Sequence, residues 1–175
     1  MKYLEERLNR EKHFCAVGDF RCGADDPLDS FLTDYSFEYD ESRLGNTYLI
    51  FPENPTVILG FYTLKTSAIQ TFSSDTKEYT ALPMIEIARL AVHYEFQHSG
   101  IGRKTFYDYI LPKVYTIAEL SAVYGIIVFV DPYNENAINY YISLGFERAS
   151  DVVQSTIGES FNESCDLYIL KLDTK

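Results

Sequence analysis

The chain has 175 residues, 46% of them hydrophobic and 15% aromatic, with 15 Tyr, 12 Phe and no Trp, enough apolar material for one substantial core and too much for a disordered segment. Its 26 acidic and 15 basic side chains leave a formal net charge of -11, which disfavours the broadly cationic surface of a protein that grips phosphate backbones. The three cysteines, Cys15, Cys22 and Cys165, lack the paired spacing of a metal or redox motif, so a reducing cytoplasm fits them, and no apolar run reaches the roughly 18 residues of a membrane span.

Residues 1 to 12 are polar and read as helical or loosely attached, with no leader-like apolar stretch in Met1-Lys2-Tyr3-Leu4-Glu5-Glu6-Arg7-Leu8. His13 to Val17 is the first candidate strand, ahead of Gly18 and Gly23. From Asp26-Pro27, the apolar residues Leu28, Phe31, Leu32, Tyr35 and Phe37 recur near helical spacing, and an acidic N-cap followed by Pro predicts an amphipathic helix ending before Gly45. Acid crowds the same stretch: Asp25, Asp26, Asp29, Asp34, Glu38, Asp40 and Glu41 have only Arg21 and Arg43 as neighbouring cations. Such a face repels polyanions and attracts cationic or amine-bearing substrates.

Asn46 to Phe51 and Val57 to Leu64 are rich in β-branched and aromatic residues and predict a hairpin across Pro52-Glu53-Asn54-Pro55. Ser73 to Thr80 reads as a loop, and Met84 to Val92, apolar on both faces, as a central strand. Gly100 to Val123 has helical spacing, bent at Pro112 and closed by Gly125. Ile126 to Val130 predicts a short buried strand, Asn134 to Leu144 a helix stopped by Gly145, and Asp166 to Leu172 a last strand. No linker or repeat interrupts the order, so residues 1–175 are expected to form a single domain.

Between the strand Met84 to Val92 and the following helix stands Gln97-His98-Ser99-Gly100-Ile101-Gly102. Glycines at a helix N-terminus let backbone N–H groups approach a diphosphate, whose charge the helix dipole favours, and Arg103 and Lys104 add cations. Taken alone, the segment also fits an ordinary strand-to-helix loop. His13, His93 and His98 form no metal-ligand pattern, and no Ser-His-Asp or Cys-His arrangement stands out.

Together with Ile87-Ala88-Arg89-Leu90-Ala91-Val92 upstream and Asn134-Glu135-Asn136-Ala137-Ile138-Asn139-Tyr140-Tyr141-Ile142-Ser143-Leu144-Gly145-Phe146 downstream, the Gln-x-x-Gly-x-Gly segment resembles the GNAT superfamily of acetyl-CoA-dependent N-acetyltransferases. The resemblance implies an α/β (α+β) fold: a central mixed, mostly antiparallel sheet splayed between strands 4 and 5, with helices on both faces. It implies acetyl-CoA as co-substrate, with its pantetheine arm along Leu90, Ala91 and Val92. The pyrophosphate would lie on Gln97, His98, Ser99, Gly100, Ile101 and Gly102, with Arg103 close by and Asn134 on the cofactor arm. An acceptor amine would attack the thioester directly, without a covalent enzyme intermediate.

Tyr141 matches the family tyrosine beside the thioester sulfur and is expected to act as general acid, since a phenol can protonate or hydrogen-bond a departing thiolate. The alternative is a core tyrosine, as Tyr140 next to it is expected to be. Glu86, the one acid in an apolar strand, matches the glutamate base of the histone-acetyltransferase-like members, and desolvation should raise its pKa. Pairing with Arg89 or a strand-edge water is the other reading. His93 is a weaker base candidate.

Asp19-Phe20-Arg21-Cys22-Gly23, followed by Leu28-Asp29-Ser30-Phe31-Leu32, is similar to the opening of a GNAT subgroup containing toxins of toxin-antitoxin pairs, which acetylate the α-amine of aminoacyl-tRNA. Those toxins are basic where they meet tRNA, whereas this chain is most acidic in the helix that would border the acceptor. The expected acceptor is therefore a primary amine on a small molecule or protein, ahead of tRNA. A non-catalytic acetyl-CoA-binding or interaction module is the third reading. An antitoxin partner and the oligomeric state, a homodimer included, stay open.

Overall fold

The computed structural model of the chain describes residues 2–23, 27–54, 57–73, 75, 77–151, 153–154 and 164–173. Its strands form a seven-stranded sheet of order β1-β2-β3-β4-β5-β7-β6. The pairs β1·β2, β2·β3, β5·β7 and β6·β7 are antiparallel and β4·β5 is parallel, the mixed, mostly antiparallel sheet implied by the family resemblance. The chain divides into two compact units, residues 1–65 with 87–113, and residues 66–86 with 114–175.

The first unit opens on β1 (Tyr3–Arg7) and α1 (Arg10–Val17), where the sequence suggested helix and then strand. The inversion has local causes. Asn9 caps α1 by accepting the Lys12 N–H through its side chain at 3.0 Å, and His13 and Val17, one helical turn apart, are the residues that α1 buries. β1 has little apolar patterning of its own, but it pairs with β2 (Asn46–Pro52) from Tyr3 opposite Pro52 to Arg7 opposite Tyr48.

The acidic helix begins at α2 (Pro27–Ser30), passes through a π-helical turn (Phe31–Tyr35) and ends in α3 (Ser36–Glu41). Asp25 and Asp26, read as acid flanking its start, lie outside the described residues, as does Pro55 of the hairpin connection. Leu28, Phe31, Leu32 and Phe37 join Val17, Phe20, Leu49 and Phe61 in the apolar cluster of this unit. The expected hairpin is present as β2 paired with β3 (Gly60–Ser73), although residues 57–59 precede the strand. Gly60 is required by close approach: a Cβ there would lie 2.7 Å from the Ala91 carbonyl oxygen.

β4 (Glu78–Val92) starts six residues before the expected Met84, so Glu78 to Thr80 are strand and not loop. The next helix runs as α4 (Ile101–Thr105), a π-helical turn (Phe106–Ile110) and α5 (Leu111–Leu120). The turn just ahead of Pro112 already departs from the i to i-4 ladder, which suits a residue with no N–H and a ring crowding the preceding turn. Hence the helix continues past Pro112 and stops at Leu120, short of Val123.

In the second unit, Met84, Ile85 and Glu86 of β4 pair in parallel with Gly125, Ile126 and Ile127 of β5 (Gly125–Val130). Gly125 therefore opens a strand and does not close the helix. β5 pairs with β7 (Asp166–Lys171), and α6 (Glu135–Ser143) and the two-residue β6 (Glu147–Arg148), which the sequence does not signal, belong to the same unit. Its apolar cluster holds Ile69, Met84, Ile127, Ala149 and Leu167.

Candidate functional site

In the first unit, β4 ends with Leu90 and Val92 half-buried and Ala91 buried, and His93 donates its N–H to the Leu59 carbonyl at 2.9 Å. A single 3-10 turn, Tyr94–Phe96, reverses the chain into Gln97. His98 and Gly100 then adopt left-handed conformations, φ 59° and 85°, before α4 begins with a Lys104 N–H to Gly100 carbonyl bond of 3.0 Å. A non-glycine residue rarely holds a positive φ without surrounding constraint. Here the Ser99 hydroxyl donates to the Phe96 carbonyl and closes the loop on itself. A Cβ on Gly100 would meet nothing within 4 Å, so the loop faces open space at the positive end of a helical run reaching Leu120.

Gln97 differs from its expected place among phosphate contacts. Its Nε2 donates to the Cys22 carbonyl at 2.6 Å and to the Val92 carbonyl at 3.1 Å, occupying both amide hydrogens with backbone acceptors. Arg103 is exposed beside the loop, while Lys104 pairs with Asp108 at 3.3 Å and lies 5.4 Å from the Tyr3 ring centroid. Arg89 donates to the Ala88 carbonyl and stacks 5.0 Å over Phe31. His93 is buried in an aromatic nest, 5.7 Å from Phe20 and 4.8 Å from Tyr94 between ring centroids, and its Nδ1 accepts the Glu95 N–H at 3.4 Å. That is the environment of a packed capping residue.

In the second unit, Glu86 is 5% exposed, in register with Ile127. Asn134 caps α6, its Oδ1 accepting the Ala137 N–H at 3.0 Å while its own N–H donates to the Asp131 carbonyl. Tyr141 is 6% exposed, with the Phe146 ring at 5.4 Å and the Tyr140 ring at 5.0 Å, both near edge-to-face. Burial, with a smaller contribution from Tyr140, pushes its phenol well above the usual tyrosine range. The hydroxyl is therefore neutral, a hydrogen-bond donor at any physiological pH and a weaker acid than an ordinary phenol.

Two polar constellations had no visible sequence pattern. Asp29, only 9% exposed inside the acidic stretch, accepts the Cys22 N–H at 2.7 Å. Glu5 of β1 accepts from the Tyr62 hydroxyl and from Lys113 Nζ, and Lys113 lies 4.6 Å over Tyr48, which stacks on Tyr62 at 5.0 Å. Burial, then the Glu5 hydrogen bond, holds the Tyr62 phenol far above its usual range. These partners are 57 and 108 residues apart in sequence. Among the described residues no His, Cys, Asp and Glu side chains gather as a metal site, and no helix is long and apolar enough to cross a membrane.

No family model matches the sequence. Solved structures resemble it along nearly its whole length. A Tyr-to-Phe mutant of the toxin AtaT, bound to the C-terminus of the antitoxin AtaR and acetyl-CoA, superposes with a TM-score of 0.75 at 21% identity, covering 97% of this chain and 92% of that one. AtaT complexed with acetyl-methionyl-tRNAfMet gives 0.74 at 22% identity, covering 97% and 95%. A Tyr-to-Phe mutant of KacT gives 0.75 at 20%, covering 98% and 95%. The chain shares the GNAT fold of these toxins.

Proposed function

We propose that this chain is an acetyl-CoA-dependent N-acetyltransferase. The observation that carries the reading is the loop at residues 97–102: two left-handed residues, an open side at Gly100 and a helix N-terminus behind it, a cradle for a diphosphate. Leu90, Ala91 and Val92 would hold the pantetheine arm, and Asn134 and Arg103 would contribute further contacts. When bound, acetyl-CoA supplies an activated thioester. Tyr141, held neutral by burial, would donate a hydrogen bond to the departing sulfur, and Glu86 would accept the proton of the attacking amine. The AtaT structure that contains acetyl-CoA supports the choice of donor.

The acceptor is a primary amine of a small molecule or protein, a reading supported by the net charge of -11 and by the acid-rich sequence of residues 25–41. A second reading, the α-amine of aminoacyl-tRNA, is favoured by the AtaT complex with acetyl-methionyl-tRNAfMet, and with it an antitoxin partner like AtaR. Calorimetry with acetyl-CoA tests the common premise. Wild type should bind and Gly102→Glu, which adds bulk and negative charge at the loop, should not; equal affinities in two folded proteins would remove it. Acetylation of a panel of amines and of aminoacyl-tRNA across a salt series then separates the acceptors, because only tRNA would lose affinity steeply with salt.

A further inference from the structure

The segment Arg21–Cys22–Gly23 links α1 to the acidic helix and has no secondary structure of its own. Three consecutive backbone groups in it are nevertheless held by distant partners. The Arg21 carbonyl accepts the Tyr94 N–H at 2.9 Å, the Cys22 N–H donates to Asp29 at 2.7 Å, and the Cys22 carbonyl accepts from Gln97 Nε2 at 2.6 Å. Buried backbone groups need such partners, and irregular segments do not supply them internally. Two of the three partners, Tyr94 and Gln97, belong to the connection that leads into the left-handed loop, and the third belongs to α2.

We propose that Gln97 and Asp29 are positioning residues: together they clamp Arg21–Gly23 and so tie the cofactor loop to the helix that borders the acceptor. This inference rests on the acetyltransferase reading for what the two ends bind. It reassigns Gln97 from phosphate ligand to brace. Both its amide hydrogens face carbonyls, so the side chain has only its oxygen left, an acceptor that would repel a phosphate. Ordering of the loop by acetyl-CoA stiffens Gln97, Gln97 stiffens Cys22, and the start of the acceptor-side helix is held in place. By linkage, an acceptor bound there favours the cofactor to the same degree.

Cys22 is the reporter, because the residue is only 7% exposed while Cys15 is exposed and serves as an internal control. The rate of Cys22 alkylation is read by peptide mass spectrometry in wild type, Gln97→Ala, Asp29→Ala and Asp29→Asn, with and without acetyl-CoA. The two alanine variants should speed Cys22 modification by about tenfold, the effect of one lost buried hydrogen bond on a local opening, and Asp29→Asn, which keeps an acceptor oxygen, should restore protection. Acetyl-CoA should slow the reaction in wild type and not in Gln97→Ala, and the KM for the amine should rise in Gln97→Ala more than kcat falls. Unchanged Cys22 protection in both alanine variants overturns the clamp, and weakened acetyl-CoA affinity with Cys22 still protected returns Gln97 to the phosphates. Failure of wild type to bind acetyl-CoA at all overturns the acetyltransferase reading instead, while the comparison without ligand still decides the clamp.

Discussion

Tyr141→Phe removes one hydroxyl and little else. The ring keeps its edge-to-face contacts with Tyr140 and Phe146, and its main-chain carbonyl, which accepts from Phe146 and Leu144, is untouched. Stability should therefore shift by less than about 1 kcal/mol. The catalytic effect follows from the protonation state. Because burial holds the phenol above its usual range, outright transfer of its proton to a thiolate of reference pKa ~8.5 would be uphill, and the contribution proposed for it is a hydrogen bond to a charged acceptor. Such bonds are worth about 1.5–3 kcal/mol, or roughly a 10- to 150-fold loss of rate. The sign with pH is also fixed: the neutral phenol is the active form, and a raised pKa moves its loss to higher pH, so Tyr141 should impose no fall in rate through pH 9. Stopped-time acetyl transfer, acetyl-CoA calorimetry and thermal melting of the two proteins measure all three quantities. Equal rates would refute the donor role, and a lost rate accompanied by lost folding would make Tyr141 a core residue.

If Glu86 is the base for an alkylamine of pKa near 10.4, Glu86→Gln should reduce kcat/KM by about 10²-fold or more at pH 7 and progressively less as pH approaches the amine pKa; a wild-type profile would make the residue structural. Gly60→Ala should cost about 1–3 kcal/mol and weaken acetyl-CoA binding as well, since its Cβ would press on the Ala91 carbonyl at 2.7 Å; denaturant melts and calorimetry read both. The Arg148 guanidinium holds the Asp166 carboxyl below its usual range, so that pair stabilises the fold above pH ~4 and stops doing so as pH falls through the lowered value. Arg148→Gln should therefore lower the urea midpoint slightly at pH 7, a difference that shrinks as pH falls through the lowered carboxyl value.

Legibility followed the range of the interactions. The strand Met84 to Val92, the glycine loop, α6 with its stop at Gly145 and β7 are readable because their determinants are local: apolar runs and glycines. β1 is not, because Glu5 and Glu6 look like solvent-facing charge until Tyr62, Lys113, Lys12 and His13 are placed against them. His13 to Val17 reads as strand because the run is short and apolar-leaning, while the helical reading of residues 1 to 12 misses that Asn9 caps a helix running on through it. The role of Asp29 was hidden for a related reason. In an acid-rich stretch nothing in the sequence marks Asp29 as buried, and the Cys22 amide it accepts is seven residues away.

The same ion pairs bear on the acceptor. Among the described residues, Arg7, Arg10, Lys12, Lys104, Lys113 and Arg148 each already face a carboxylate of this chain, at Asp40, Glu41, Glu6, Asp108, Glu5 and Asp166. Exposed pairs are individually weak, so a phosphate could displace a carboxylate at small cost in the pair itself. The displaced carboxylate stays tethered within a few ångströms, however, and repels the phosphate that replaced it. At 0.1 M salt the screening length is about 10 Å, too long to hide a neighbour at that distance. A polyanionic acceptor would thus gain less from each cation here than from an unpaired one, against a net field of the wrong sign. A protonated amine meets no such penalty: the net charge of -11 favours it, and Glu86, in the role proposed above, would accept its proton at the point of attack.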